Sequence, residues 1–346
     1  MRCFDARNKA MTAFSAARDR LGSHDIAILG DPQRQRQVRI VSRGAAVVGI
    51  EIAHGGSTFQ LADGYRDLTE VEQRPGSRYA VMAPFANRIK DARYRFDDRV
   101  YDLAPGIEGD KRESRHGFLR DQEFTLERLD ADDAGAHAVF VNRSIRPGVH
   151  AGYPFAIDVS VHYILSASGL EVVASMRNVG EETAPCFFGW HPYFRVADGL
   201  VDAWELQVPA SLLIRTDANF IPLPGDEAYV AVQDEPTMDF RQWRRIGDTA
   251  LNHGYAGLHA DADGRARTRV RDPKTGLTVA MWQTRGIVLV FTADTVPRDA
   301  RRAIALEPME SMSDAFNRED CASAIHLEPG AERQFHCGVE IESQQV

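Results

Sequence analysis

No stretch of this chain stays apolar for the ~18 residues that a membrane-spanning helix needs. Cysteine is scarce, with 4 in 346 residues. Cys3, Cys186, Cys321 and Cys337 form no C-x-x-C pair and too sparse a set for a disulfide framework, so a reduced, cytoplasmic setting is expected. There is no Lys/Arg-rich run. Asp plus Glu (50) exceeds Lys plus Arg (41), for a net charge of −9, which disfavours nucleic acid as a partner. A secretory leader is not expected either. Met11 to Ala17 is only mildly apolar, Thr12 and Ser15 interrupt it, Asp5 precedes it and Arg18-Asp19-Arg20 follow. The nucleotide-binding G-x-G-x-x-G, the phosphate loop, the G-x-S-x-G elbow and H-E-x-x-H are all missing. The histidines offer no ligand spacing: His253 and His259 are six apart, and His326 and His336 flank a turn. No metal and no cofactor are therefore expected.

What is present is alternation. Apolar residues make up 44 % and charged residues 26 % of the chain, an ordinary globular composition. The dominant period is two, the mark of half-buried strands. Phe155, Ile157, Val159, Val161, Tyr163 and Leu165 alternate with smaller or polar neighbours. Ser166 to Gly169 turns the chain, and Leu170, Val172, Ala174 and Met176 alternate on the return. Further hairpins are predicted at Tyr94–Phe96 with Val100–Leu103, at Phe124–Leu126 with Val139–Val141, and at Val270 with Leu277–Met281. Two more are predicted at Ile325–Leu327 with Phe335–Ile341 and at Val38–Ile40 with Val48–Ile52. Helical spacing is confined to Ala10, Ala13, Phe14, Ala17 and Leu21, with a short helical turn expected at Asp239–Arg245. Strands without alternating helices, and without a linker between halves, predict one large antiparallel β-sandwich.

Four segments place polar residues inside apolar runs. In Ala83 to Ile89, Asn87 and Arg88 follow a proline. They serve either as a self-bonded loop or as donors to sugar hydroxyls. Arg115-His116-Gly117-Phe118 closes a charged loop that holds Glu108, Asp110, Lys111, Arg112 and Glu113, and His116 is a solvated turn residue or a ligand contact. Phe187 to Phe194 sets His191 among five aromatics, including Trp190. Aromatic faces suit the apolar faces of sugars, and an imidazole there can move a proton near neutral pH. The alternative is a core histidine bonded to backbone. Ile304 to Met309 ends an apolar strand with Glu307, either salt-bridged or raised in pKa by burial into general acid–base range. Together these residues suit proton transfer on a neutral polyol.

The order Asn87-Arg88-Ile89, His116-Gly117, Tyr153-Pro154-Phe155, His191 to Phe194, Glu307-Pro308-Met309, Asp314 to Asn317 and Leu327 to Gly330 resembles the aldose 1-epimerase (galactose mutarotase) family. The likeness runs from about Arg39 to Ile341. It leaves residues 1–35 as an N-terminal extension and residues 36–346 as a single domain. It implies an all-β fold, a large antiparallel β-supersandwich with few short helices and a groove open to sugar. It implies His191 as general acid, Glu307 as general base, and Arg88 and His116 as sugar-positioning residues, with Asn87, Asn252 and Trp190 as further binding candidates. The expected substrate is a monosaccharide, and the expected assembly a monomer or homodimer without nucleic acid or membrane. Two positions depart from the family pattern. Asn252 stands where an Asp binds sugar hydroxyls, and Leu289 stands where many members carry Gln. They keep a non-catalytic sugar-binding or regulatory protein open as an alternative. A sugar-phosphate epimerase also stays open, through Arg93 and Arg95, whose plainer role is a charged strand face. A glycoside hydrolase or lyase would need Glu310 or Asp314 as the partner carboxylate of Glu307.

Overall fold

The computed structural model describes residues 13–109 and 112–342; Cys3, Asp5, Ala10, Met11, Asp110 and Lys111 lie outside them. Alternation becomes strand wherever it is sustained. Ile157–Ser166 alternates buried and half-buried residues along its whole length and pairs antiparallel with Gly169–Asn178, from Ile157 opposite Asn178 to Ser166 opposite Gly169. Gly169 has φ 141°, and a Cβ there would stand 2.1 Å from the Val339 carbonyl oxygen. Only glycine fits that return strand at that point. Pairing also joins Arg93–Phe96 to Arg99–Asp102, Thr125–Ala131 to Ala136–Ile145, Ala266–Arg271 to Thr278–Gln283, and Arg36–Val41 to Ala46–His54, as the pattern predicts.

Three expectations fail. The helical spacing before Leu21 yields a strand, Ser15–Leu21, paired with His24–Asp31 across a turn at Gly22. Most of that strand is exposed, so its apolar residues have no helix face to bury. Asp239–Arg245 contains no helix and ends in the short strand Arg244–Arg245. Ile325–Leu327 and Phe335–Ile341 do not pair with each other. His326–Leu327 pairs with Ala184–Pro185, while Glu332–Glu342 lies between Gly169–Asn178 and Thr278–Gln283. Two non-local strands outcompete the local turn for its hydrogen bonds.

The pairings build three large antiparallel sheets. The first is a five-stranded meander running in chain order from Ser15 to Gln60. His24–Asp31 is an inner strand of that meander, so the sheet is continuous across residue 35 and shows no break there. The second has nine strands, with Glu332–Glu342 at its centre. The third has eight strands and carries Asn252–Leu258, Ile287–Phe291, Ile304–Met309, Gly189–Trp190 and Val81–Met82 side by side. One continuous apolar core joins the three sheets. Among the described residues, α-helix is limited to Leu68–Gln73 and Ala322–Ile325, and no helix is long and apolar enough to cross a membrane. The all-β, large antiparallel sandwich with few short helices is therefore the architecture observed.

The third sheet positions the chemistry. Ile304–Met309 is buried at every residue, because it is covered on both faces. A polar side chain on such a strand is desolvated wherever it points.

Candidate active site

Glu307 lies opposite Leu289 in the sheet register, and Tyr193 lies opposite Ala305 on the other flank of the same strand. His191 falls where the short strands Gly189–Trp190 and Tyr193–Phe194 part. Its backbone is tied on both sides, its N–H donating to Ala80 (3.1 Å) and its carbonyl accepting from Tyr79 (2.9 Å). The imidazole stacks on Tyr193, with ring centroids 4.9 Å apart and planes at 13°. Tyr193 is itself fixed by its hydroxyl, which donates to Gly76 (3.0 Å), and by the Arg78 guanidinium over its ring at 5.2 Å. The result is a pair: His191 Nε2 sits 3.3 Å from Glu307 Oε1. Glu307 is 1 % exposed and His191 5 %, and Glu307 Oε2 has no hydrogen-bond partner in the protein.

Two loops bring the remaining groups. Asn87 and His116 both take positive φ, 57° and 63°, and the His116 N–H donates to the Asn87 carbonyl at 2.8 Å. At Gly117 a Cβ would lie 2.1 Å from the Ala83 carbonyl oxygen, so the loops cross this closely only because that residue is glycine. The Asp314 to Asn317 segment clamps the same region. The Asp314 N–H donates to the Arg88 carbonyl (2.7 Å), Asp314 Oδ1 accepts from the Lys90 N–H (2.8 Å), and Asn317 Nδ2 donates to the Arg93 carbonyl (2.9 Å). Arg88 donates to Asn87 Oδ1 (2.8 Å) and lies over the Phe220 ring at 5.0 Å. His116 presents its ring edge-on to His191, centroids 5.2 Å apart, with Nδ1 2.8 Å from Met82 Sδ.

These groups line one cleft of about 460 Å³, within the ~300–1,000 Å³ typical of small-molecule sites. Asn87, Arg88, His116, His191, Asn252 and Glu307 all reach it. Trp190 does not. It is 0 % exposed and packs edge-on to Tyr79, 5.5 Å between centroids. Strand alternation turns it away from the face on which its neighbour His191 opens, so Trp190 is core rather than a sugar platform. Arg93 and Arg95 are exposed and ion-paired to Asp102 and Asp98, outside the cleft, which is the charged strand face. Glu310 is held by the Phe188 N–H (2.7 Å) and by Arg333 (3.3 Å), and Asp314 serves the loop clamp. Neither lines the cleft, and the other carboxylate that does, Glu113, is paired with Arg115. Cys186 is buried, which pushes its thiol up to about 12 and leaves no nucleophilic thiolate. No group of three metal-ligating side chains occurs among the described residues.

Burial sets the charge state of the pair. Desolvation pushes the Glu307 carboxyl well above its ordinary range, against a smaller downward pull from Arg88. Desolvation, with help from nearby arginines, lowers His191 to about 3, and His116 is likewise driven well down. The pair therefore carries one proton across a wide pH range. Such a coupled pair titrates as a unit. Its proton can reside as carboxylic acid and imidazole or as carboxylate and imidazolium, and the Arg88 charge favours the second form. A base and an acid 3.3 Å apart at the floor of a polar cleft can move a proton off one oxygen of a ligand and onto its neighbour.

Sequence reasoning missed the cleft's other walls. Arg74, Ser77, Glu113, Arg115, Arg120, Phe291 and Thr295 to Pro297 also line it. Apart from Phe291, which ends the strand Ile287–Phe291, they come from turns and loops whose approach depends on sheet order, and only the charged loop around Glu113 and Arg115 carried a local signal.

The large antiparallel β-sandwich thus carries a buried histidine–glutamate pair in a cleft of small-molecule size. The aldose 1-epimerase family model matches residues 27–340, and the chain belongs to that family. It is 27 % identical over 238 residues to the uncharacterised Escherichia coli protein YihR, covering 68 % of this chain and 71 % of that protein. It is 25 % identical to human galactose mutarotase over 271 residues, 75 % of each chain. Among solved structures, a galactose mutarotase-like protein from Clostridium acetobutylicum matches with a TM-score of 0.80 at 16 % identity, covering 96 % of this chain and 99 % of that one.

Proposed function

We propose that the protein is an aldose 1-epimerase that interconverts the α and β anomers of a free aldose. The observation that supports this most directly is the buried Glu307–His191 pair, 3.3 Å apart, on the floor of the cleft. Glu307 takes the proton from the C1 hydroxyl while His191 gives one to the ring oxygen. The C1–ring-oxygen bond breaks and an open-chain aldehyde forms. Rotation about C1–C2 presents the other face of the carbonyl. Closure then reverses the two roles, and the pair holds one proton before and after, on His191 in the closed-ring state and on Glu307 in the open-chain state. Arg88 assists by favouring carboxylate over carboxylic acid, and Arg88, Asn87, His116 and Asn252 offer donors and acceptors to the sugar hydroxyls.

Positioned acid–base groups each contribute about 10²–10⁴-fold. Glu307→Gln and His191→Asn are each expected to lower the rate of anomer exchange at least ~100-fold, read by polarimetry on freshly dissolved α-D-glucose and α-D-galactose or by anomeric NMR across a sugar panel. A Glu307→Gln protein that keeps wild-type turnover refutes the assignment. Saturable sugar binding with no acceleration by wild type would instead identify a non-catalytic sugar-binding protein.

A further inference from the structure

The chain is acidic overall, with a net charge of −9, yet four arginines line the cleft against two carboxylates. One of them, Glu307, is pushed by burial toward its neutral form and shares a single proton with His191, so the pair brings no net negative charge. The other, Glu113, is already paired with Arg115. Among the described residues Arg74 and Arg120 make no ion pair. Arg120 donates to Ser77 Oγ at 3.0 Å and Arg74 to the Glu72 carbonyl. Several buried or partly buried arginines elsewhere are neutralised by carboxylates. Arg78 and Arg298 both hold Asp63, Arg301 holds Asp202 and Asp294, and Arg267 holds Asp261, Asp263 and Glu340.

The arginine charge is placed unevenly about the catalytic pair. Glu307 feels Arg88, whereas His191 feels Arg115 and Arg120, together with the already paired Arg78. Arg115 is itself brought down to about 10 by its own burial and by Arg88 and Arg120. A neutral sugar would cover these guanidinium groups while leaving their charge unanswered, which is costly in a desolvated site. An anion would answer it with charge-assisted hydrogen bonds.

We infer that Arg115 and Arg120, with Arg74 beside them, form an anion subsite, and that the substrate is an aldose carrying an acidic group at the end of the carbon chain. This inference rests on the epimerase reading for its orientation. With His191 at the ring oxygen and Glu307 at C1, the arginines around His191 face the side of the sugar ring that bears C5 and its substituent. The anion does more than anchor. By offsetting the positive potential at His191 it makes imidazolium easier to form, so its effect falls on kcat as well as on KM.

The test compares anomer exchange by NMR for D-glucose 6-phosphate, D-glucuronate and D-glucose with wild type, Arg120→Gln and Arg120→Lys, after subtracting the uncatalysed rates. The inference expects kcat/KM for one acidic sugar to exceed that for glucose at least ~10-fold, with a share of the gain in kcat. Arg120→Gln collapses that ratio and Arg120→Lys restores part of it. The phosphate and carboxylate arms tell which acid the subsite takes. Equal rates for all three sugars, or an Arg120→Gln loss that is the same for each, overturn it. If wild type accelerates none of the sugars, the epimerase reading is what fails. Calorimetric binding of D-glucose 6-phosphate against D-glucose then decides the subsite on its own. Preference lost in Arg120→Gln supports it, and no preference overturns it.

Discussion

Glu307 shows how one neighbour tunes a catalytic group. Its cross-strand partner is Leu289, and residues paired across antiparallel strands share a face. The leucine therefore adds to the burial that raises the carboxyl and offers it no hydrogen bond. A glutamine at 289 would bring an amide donor to the same face, and donation to a carboxylate favours the charged form. Leu289→Gln is expected to lower the pKa of the pair and to move the alkaline limb of the kcat/KM–pH profile to lower pH. The sign follows from the proton count. The working pair holds one proton, activity falls when that proton leaves, and a stabilised carboxylate releases it earlier. A pH–rate profile in anomeric NMR checks this; a limb that stays in place or moves upward contradicts it. At this scale much was readable from sequence, since His191, Glu307, Arg88, Asn87, His116 and Asn252 are drawn to one cleft. Trp190 was not, because an aromatic beside a site histidine looks the same in sequence whether it faces the cleft or the core.

Among the elements, the loop that carries Arg88 depends on the clamp from Asp314 and Asn317. Three of its backbone groups, at Arg88, Lys90 and Arg93, are satisfied by that segment. Asp314→Ala removes the acceptor for the Lys90 N–H, and losing a part-buried hydrogen bond of this kind costs about 0.5–1.5 kcal/mol. The loosened loop no longer fixes the Arg88 guanidinium over Phe220, so substrate binding suffers more than chemistry. The expected outcome is a rise in KM of up to about 10-fold with kcat changed less, measured over a range of sugar concentrations. A fall in kcat at unchanged KM would mean that the clamp acts on the Glu307–His191 pair instead. The sequence signalled this segment only as a motif; its positioning role emerges once residues 88–95 and 313–317 meet in space. Local alternation was likewise enough for the consecutive hairpins. It was not enough for Glu332–Glu342, whose partners lie far along the chain, or for Ser15–Leu21, where weak helical spacing lost to pairing with His24–Asp31.

For the whole molecule, the same continuity bears on where the folding unit begins. Ser15–Leu21 is an edge strand and mostly exposed. His24–Asp31 is an inner strand that buries Ile26, Ala27 and Leu29, and buried His24 meets Glu72 (2.7 Å) and Glu123 (2.9 Å). A chain starting at residue 22 is expected to fold with a modestly lowered Tm. One starting at residue 36 would expose an apolar sheet edge and aggregate. Soluble expression and thermal melting of the two truncations test this; a residue-36 start that melts like the full chain would make the first 35 residues a separate appendage after all.

The buried pair also imposes a cost on the fold as a whole, and its pH dependence gives it away. Glu307 has a native pKa well above its ordinary value of 4.5. A raised native pKa means that the folded state holds a proton the unfolded state has released. That contribution to stability is fully present below about pH 4.5 and is lost as pH rises toward the raised native value. His191 has the opposite sign. Lowered from 6.5 to about 3, it contributes stability that is present above pH 6.5 and lost as pH falls from there toward 3. Glutamine at 307 has no proton to lose, so the Tm of Glu307→Gln is expected to exceed that of wild type at pH 7.5. The gap should shrink steadily as pH is lowered to 4.5, while anomer exchange stays at least ~100-fold down throughout. Melting curves of the two proteins from pH 4.5 to 8 give the answer directly. A gap that is constant with pH would mean that Glu307 is not held in its protonated form in the folded protein, and the one-proton account of the pair would fall with it. A gap that opens with pH would show the site giving up stability for a carboxyl group poised to exchange a proton at the floor of the cleft.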